Sequence, residues 1–183
     1  MTTSLETWLA YEQELHALGE RVAAVYASWH EGAPAQLDRL HADLRKLLGR
    51  AATALPARGP VAEWTNAALD ELGPEPTRRA AFALAVLQHR RQFPAVYLRA
   101  LVRAAARIGY GGESALLLAS HAHGTERVLR AMVEAARDGL YGPREAHFLL
   151  YYVRSRRWGG EDRSDPDACR ALVDELYRLL PLR

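Results

Sequence analysis

Apolar residues recur every three or four positions along the first 55 residues, in two separate stripes. The first stripe consists of Trp8, Tyr11, Leu15, Leu18, Val22, Val25 and Trp29, and the second of Leu37, Leu40, Leu44, Leu47, Ala51 and Leu55. This spacing is typical of amphipathic helices, and Thr3 and Glu6 have the spacing of a capping box at a helix start. Because a short segment with Gly32 and Pro34 joins the stripes, we predict an antiparallel helical hairpin over residues 1–55. A homodimer through these N-terminal helices is the alternative use of the same stripes.

Glycine and proline divide the rest of the chain into shorter helical segments. Residues 56–60 contain two prolines and a glycine and are predicted to be a linker. Helices are then predicted over residues 61–72, 77–91, 94–108, 114–121, 125–138, 143–157 and 166–180. Thr77 and Thr125 are expected to cap two of them, and Pro94 suits the first turn of another. No segment has the alternating pattern of a strand.

Composition strengthens the helical interpretation. The chain of 183 residues contains 33 alanines and 28 leucines, whereas Ile108 is the only isoleucine. Strong helix formers therefore dominate, which argues against β-rich enzyme folds. The near absence of lysine beside many arginines also fits a GC-rich, bacterial genome.

Two helical pairs show a weak internal similarity. Residues 84–105 align with residues 115–136 at an offset of 31, which matches Leu98-Arg-Ala-Leu101 with Leu129-Arg-Ala-Met132. A third pair covers residues 143–157 and 166–180. We therefore predict an all-α fold: the hairpin, then stacked helix pairs over residues 61–183, as a solenoid-like repeat or an irregular bundle with eight or nine helices in total. The alternative to this division is one single domain overall.

Candidate catalytic and metal-binding residues are few. No nucleophile elbow, Walker loop or dinucleotide fingerprint occurs, so no enzyme activity and no cofactor are predicted. His121, His123 and Glu126 form a cluster that could hold a metal or transfer a proton, near the glycine that ends a helix. Histidine at a helix C-terminus also suits the last carbonyls and the helix dipole, and we favour that explanation over a metal site.

Arginines recur on single helix faces in two neighbouring segments. Arg99, Arg103 and Arg107 are four residues apart, and Arg127, Arg130 and Arg137 follow one repeat later. If the pairs stack, these arginines should form one surface, with aromatic residues among them. The predicted partner-binding residues are Arg99, Arg103, Arg107, Arg127, Arg130, Arg137, Tyr97 and Trp158. The alternative is a solvated face whose arginines pair with Glu126, Glu134, Asp138 and Glu145.

Charge and composition suggest a binding protein. The net charge is only +2, with an acidic first part and a basic remainder, so nucleic-acid binding would need the local arginine clusters. Arginine with tyrosine and tryptophan is typical of protein interfaces. We therefore expect a cytoplasmic, non-enzymatic module that binds another, acidic protein, as an adaptor, regulator or toxin-neutralising immunity protein. A nucleic-acid-binding accessory protein is the alternative, and no membrane association is expected.

Overall fold

The structure is a computed structural model that describes residues 3–73, 75–90, 92–109, 112–155 and 164–180, without the side chains of residues 154 and 155. This part of the chain is all-helical and its helices pack in stacked pairs, as predicted. The helices are α1 (Leu5–Ala27), α2 (Ala33–Ala54), α3 (Pro60–Leu69), α4 (Arg78–Gln88), α5 (Leu98–Ile108), α6 (Glu113–His123), α7 (Thr125–Arg137), α8 (Pro143–Ser155) and α9 (Pro166–Leu179). A 3-10 helix, Ala95–Tyr97, precedes α5.

Helices α1 and α2 form the predicted hairpin. The cap of α1 is Ser4, whose hydroxyl accepts the Thr7 amide, and not Thr3. The Thr3 hydroxyl instead donates to the Ala54 carbonyl at 3.0 Å, which joins the start of α1 to the end of α2. The capping prediction was therefore wrong by one residue, because Thr3 already has a partner across the hairpin.

The hairpin has its own core in its outer part and shares the main core at its base. Its own core contains Leu18, Val25, Ala33, Leu37, Leu40 and Leu47. At the base, Trp8, Ala51 and Leu55 belong to the main core. The Trp8 ring meets Phe82 edge-on with centroids 5.2 Å apart, and Trp64 at 6.5 Å. The hairpin is thus anchored at one end, and its outer part is supported by its two helices alone within the described residues.

Helix α5 lies at the centre of the main body. It contacts α3, α6, α7 and α8, and its small residues Ala104, Ala105 and Ala106 are buried. Leu98 and Leu101 are buried, as are Leu129 and Met132 at the equivalent positions of α7. This agreement fits stacked helices, and the sequence repeat itself stays a prediction. The third predicted pair, residues 143–157 with 166–180, is not the main contact of either helix, because α9 packs chiefly against α7 and α8 against α5.

Two predicted helix starts differ from the structure. Pro94 precedes a 3-10 helix instead of opening α5 directly. Thr125 is the first residue of α7, and the N-cap position belongs to Gly124, whose φ of 85° favours glycine. Thr77 caps α4 as predicted, since its hydroxyl accepts the Ala80 amide.

Candidate protein-interaction surfaces

The arginines of α5 contact carboxylates of the same chain. Arg103 and Arg107 both approach Asp70, which follows α3, at 3.2 and 3.8 Å. Arg107 also donates to the carbonyls of Leu69 and Asp70 at the end of α3. Arg99 pairs with Asp138, at the end of α7. Burial lowers the pKa of Arg107, and Asp70 opposes that shift. These side chains therefore join α5 to its neighbours.

The arginines of α7 also form ion pairs within the described part of the chain, with one exception. Arg130 pairs with Glu126 at 2.9 Å, and Arg137 pairs with Glu175 of α9. Arg127 is exposed and has no ion pair within the described residues. Five of the six predicted arginines thus have a carboxylate partner in the chain, including the pairs with Glu126 and Asp138 named in the solvated-face alternative. Whether any of them binds a partner stays a prediction.

Of the two predicted aromatic contact residues, the structure describes Tyr97 only. Tyr97 is fully buried, and its hydroxyl donates to the Pro56 carbonyl. Its assignment to an exposed surface was therefore wrong, because the 3-10 helix before α5 turns the ring into the main core. Trp158 lies outside the described residues.

We expect the contacts of Arg107 to make a measurable contribution to the free energy of unfolding. Arg107→Met should lower the free energy of unfolding by about 1–2 kcal/mol, because two hydrogen bonds to the end of α3 and the contact with Asp70 are lost. Arg127→Met, at an exposed position, should change it by less than about 0.5 kcal/mol. Urea denaturation of both variants measures the difference, and equal stabilities would contradict the assigned role of Arg107.

The two histidines of the cluster lie in the last turn of α6. No group of three or more potential metal-ligating residues occurs in the described part of the chain. His123 packs edge-on against Phe93, with ring centroids 4.7 Å apart, whereas His121 is exposed. Burial lowers the pKa of His123, and the nearby Arg127 lowers it further. The position of both histidines agrees with the predicted helix terminus, and burial disfavours the charged form of His123.

His123 should make stability depend on pH. Because the pKa of His123 is lowered in the folded state, the unfolded chain binds more protons below its ordinary pKa of about 6.5. Stability should therefore fall as the pH drops from 7.5 to about 5.5. His123→Gln should reduce this dependence. Thermal unfolding at both pH values provides the test, and an unchanged slope in His123→Gln would refute the assignment.

The tip of the hairpin carries two exposed aromatic rings. Tyr26 is 57% exposed and Trp29 is 60% exposed, and their rings stack with centroids 6.1 Å apart and planes 20° from parallel. The apolar stripe of the sequence places Trp29 in the hairpin seam, but α1 ends at Ala27. Trp29 therefore lies in the turn, where it leaves the helical register. In the sequence, Gly32 and Pro34 predict this turn, and they were the signal that Trp29 lies near the end of the helix.

An open groove runs along one face of the hairpin. It has a volume of about 1270 Å³, and α1 contributes Tyr11, Glu14, Ala17 and Arg21 to its walls, while α2 contributes Asp43, Lys46 and Arg50. Glu14 and Arg50 form an ion pair across it at 3.1 Å. Arg50 also lies over the Tyr11 ring, 5.7 Å from its centroid. The groove lining thus combines small residues such as Ala17 with charges of both signs.

Comparisons with known proteins add no family or relative. No protein-family model, curated protein or solved structure matches the chain. In the described residues, no helix is long and apolar enough to cross a membrane.

Proposed function

We propose that the protein is a non-enzymatic binding module that recognises another protein through the hairpin tip, which we define as Tyr26 and Trp29. The stacked and exposed rings of this pair carry the proposal. Tryptophan and tyrosine are enriched among the hot-spot residues of protein interfaces, because they bury a large area with few rotatable bonds. Each ring also supplies a polar hydrogen for the rim of a contact.

The position of the pair supports the same function. Helix α1 has 23 residues, so the tip lies about 35 Å from the helix start at the hairpin base. The outer core of the hairpin holds the tip away from the main body. Such a projection reaches into a concave surface, so the expected partner is a globular protein with an apolar pocket that accepts two adjacent rings. Adaptor, regulatory and toxin-neutralising roles all fit this mode of binding.

Affinity capture with matched variants tests the proposal. The tagged full chain, the double variant Tyr26→Ala/Trp29→Ala and the control Tyr151→Ala are each incubated with lysate of the source organism. Tyr151 is 52% exposed on α8, so the control removes a comparable exposed ring elsewhere. Quantitative mass spectrometry should find a protein retained by the wild type and the control and lost from the tip variant.

Two results would contradict the proposal. One is a bound protein retained equally by the tip variant. The other is bound material that nuclease removes and that Arg99→Ala/Arg103→Ala/Arg130→Ala fails to retain. The second result would favour the nucleic-acid alternative, in which affinity falls steeply with salt.

A further inference from the structure

The hairpin groove lies on the side of the hairpin that faces away from the main body. On α1, Ala17 lines the groove and follows the main-core residue Trp8 by nine residues, or two and a half helical turns. On α2, Asp43 lines the groove and precedes the main-core residue Ala52 by the same nine residues. Ala17 and Asp43 therefore lie on the helix faces opposite these main-core residues, whereas at the base of the hairpin Tyr11 both lines the groove and packs against the main core.

The charges along the groove alternate in a regular order. On α1, Glu14 lies nearer the base and Arg21 nearer the tip, two helical turns apart. Helix α2 runs in the opposite direction, so Arg50 lies nearer the base, beside Glu14, and Asp43 lies nearer the tip. From base to tip, the α1 edge is negative at Glu14 and positive at Arg21. The α2 edge is positive at Arg50 and Lys46 and negative at Asp43, which Lys46 contacts at 3.9 Å.

This order is complementary to itself. If two grooves face each other about a two-fold axis parallel to the hairpins, α1 of one copy lies over α2 of the other. Glu14 then faces Arg50 of the second copy, and Arg21 faces Asp43 of the second copy. A two-fold contact uses the same surface on both chains, so each favourable pair forms twice. We propose that the groove binds the same groove of a second copy of this chain, giving an antiparallel four-helix bundle.

Lys46 selects this arrangement over the other two-fold packing. An axis perpendicular to the hairpins would also match opposite charges, but it would place Lys46 near the middle of the groove against Lys46 of the second copy. In the parallel-axis arrangement, Lys46 lies over the small Ala17 of the second copy, one turn from its Glu14. Each helix then has antiparallel neighbours, as in common four-helix bundles. This dimer does not depend on the proposed role of Tyr26 and Trp29.

Sedimentation equilibrium of the full chain tests the dimer. Between about 1 and about 100 μM, the wild type should approach twice the 20.4 kDa of one chain. Arg21→Glu should raise the dimer dissociation constant at least about tenfold, because each interface then has like charges in two places. Arg45→Glu, an exposed charge reversal on α2 outside the groove lining, is the matched control and should retain the wild-type constant. Circular dichroism verifies that each variant stays helical.

A charge exchange tests the register. Arg21→Glu/Asp43→Arg should restore the wild-type dissociation constant, because these two positions face each other between copies. In the perpendicular arrangement the same double variant would dissociate further than Arg21→Glu, and that outcome would overturn the register. Ala17→Arg, which places a bulky charge in the groove lining, provides a second route to a monomer. A wild type that stays monomeric over the whole range, or an Arg21→Glu variant that still dimerises with the wild-type constant, would overturn the dimer itself.

Discussion

Replacing Trp8 by alanine should lower the free energy of unfolding by about 3–5 kcal/mol. Trp8 is fully buried and contacts both Trp64 and Phe82, so its removal leaves a cavity where the hairpin base meets α3 and α4. The surrounding helices are anchored by other contacts and cannot collapse fully into that space. Denaturant unfolding monitored by circular dichroism measures the loss.

The matched control for this prediction is Trp8→Phe. The indole nitrogen of Trp8 has no hydrogen-bond partner within the described residues, so phenylalanine keeps an aromatic ring without breaking a hydrogen bond. Its cost should therefore be clearly smaller than that of alanine. Equal and small losses in both variants would contradict the docking of the hairpin base on the main core.

Gly112→Ala should be the second strongly destabilising substitution, at about 2–4 kcal/mol. A methyl group at Gly112 would lie 1.9 Å from the carbonyl oxygen of Ala105 in α5. Because the clashing atom is backbone, α6 must move away from α5, and the buried side chains between them lose contact. The φ of Gly112 is −70°, so the effect is steric and not conformational.

Gly19→Ala is the matched control for Gly112→Ala. Gly19 lies within α1, and no atom lies within 4 Å of the methyl group that alanine would add. Alanine there should stabilise the helix by about 0.5–1 kcal/mol. A Gly112→Ala variant as stable as the wild type in thermal unfolding would contradict the close approach of α5 and α6.

The hairpin could be predicted from the sequence because its stabilising pattern is local. Leu18, Val25, Leu37 and Leu47 follow the helical period and are buried as that period predicts. The same reasoning placed Trp29 in the seam, since a periodic pattern does not mark the residue at which a helix ends. The error mattered, because exposure of Trp29 creates the surface on which the proposed function rests.

The roles of the arginines could not be predicted in the same way. Spacing placed Arg103 and Arg107 on one face of α5, but their common partner Asp70 is more than 30 positions away along the chain. The carboxylate of Asp138 likewise reaches Arg99 only after the helices have packed. Such pairs depend on tertiary packing, which one sequence does not specify. The groove has the same origin, because it exists only between two packed helices.

The affinity of the purified partner for variants of the two competing surfaces tests the central claim most directly. Isothermal titration calorimetry compares the wild type with Tyr26→Ala/Trp29→Ala and with Arg127→Ala/Arg130→Ala. The tip variant should raise the dissociation constant by at least about 100-fold, as expected for the loss of two hot-spot residues. The arginine variant should raise it by less than about threefold. A dissociation constant unchanged in the tip variant and raised in the arginine variant would contradict the hairpin tip as the binding surface.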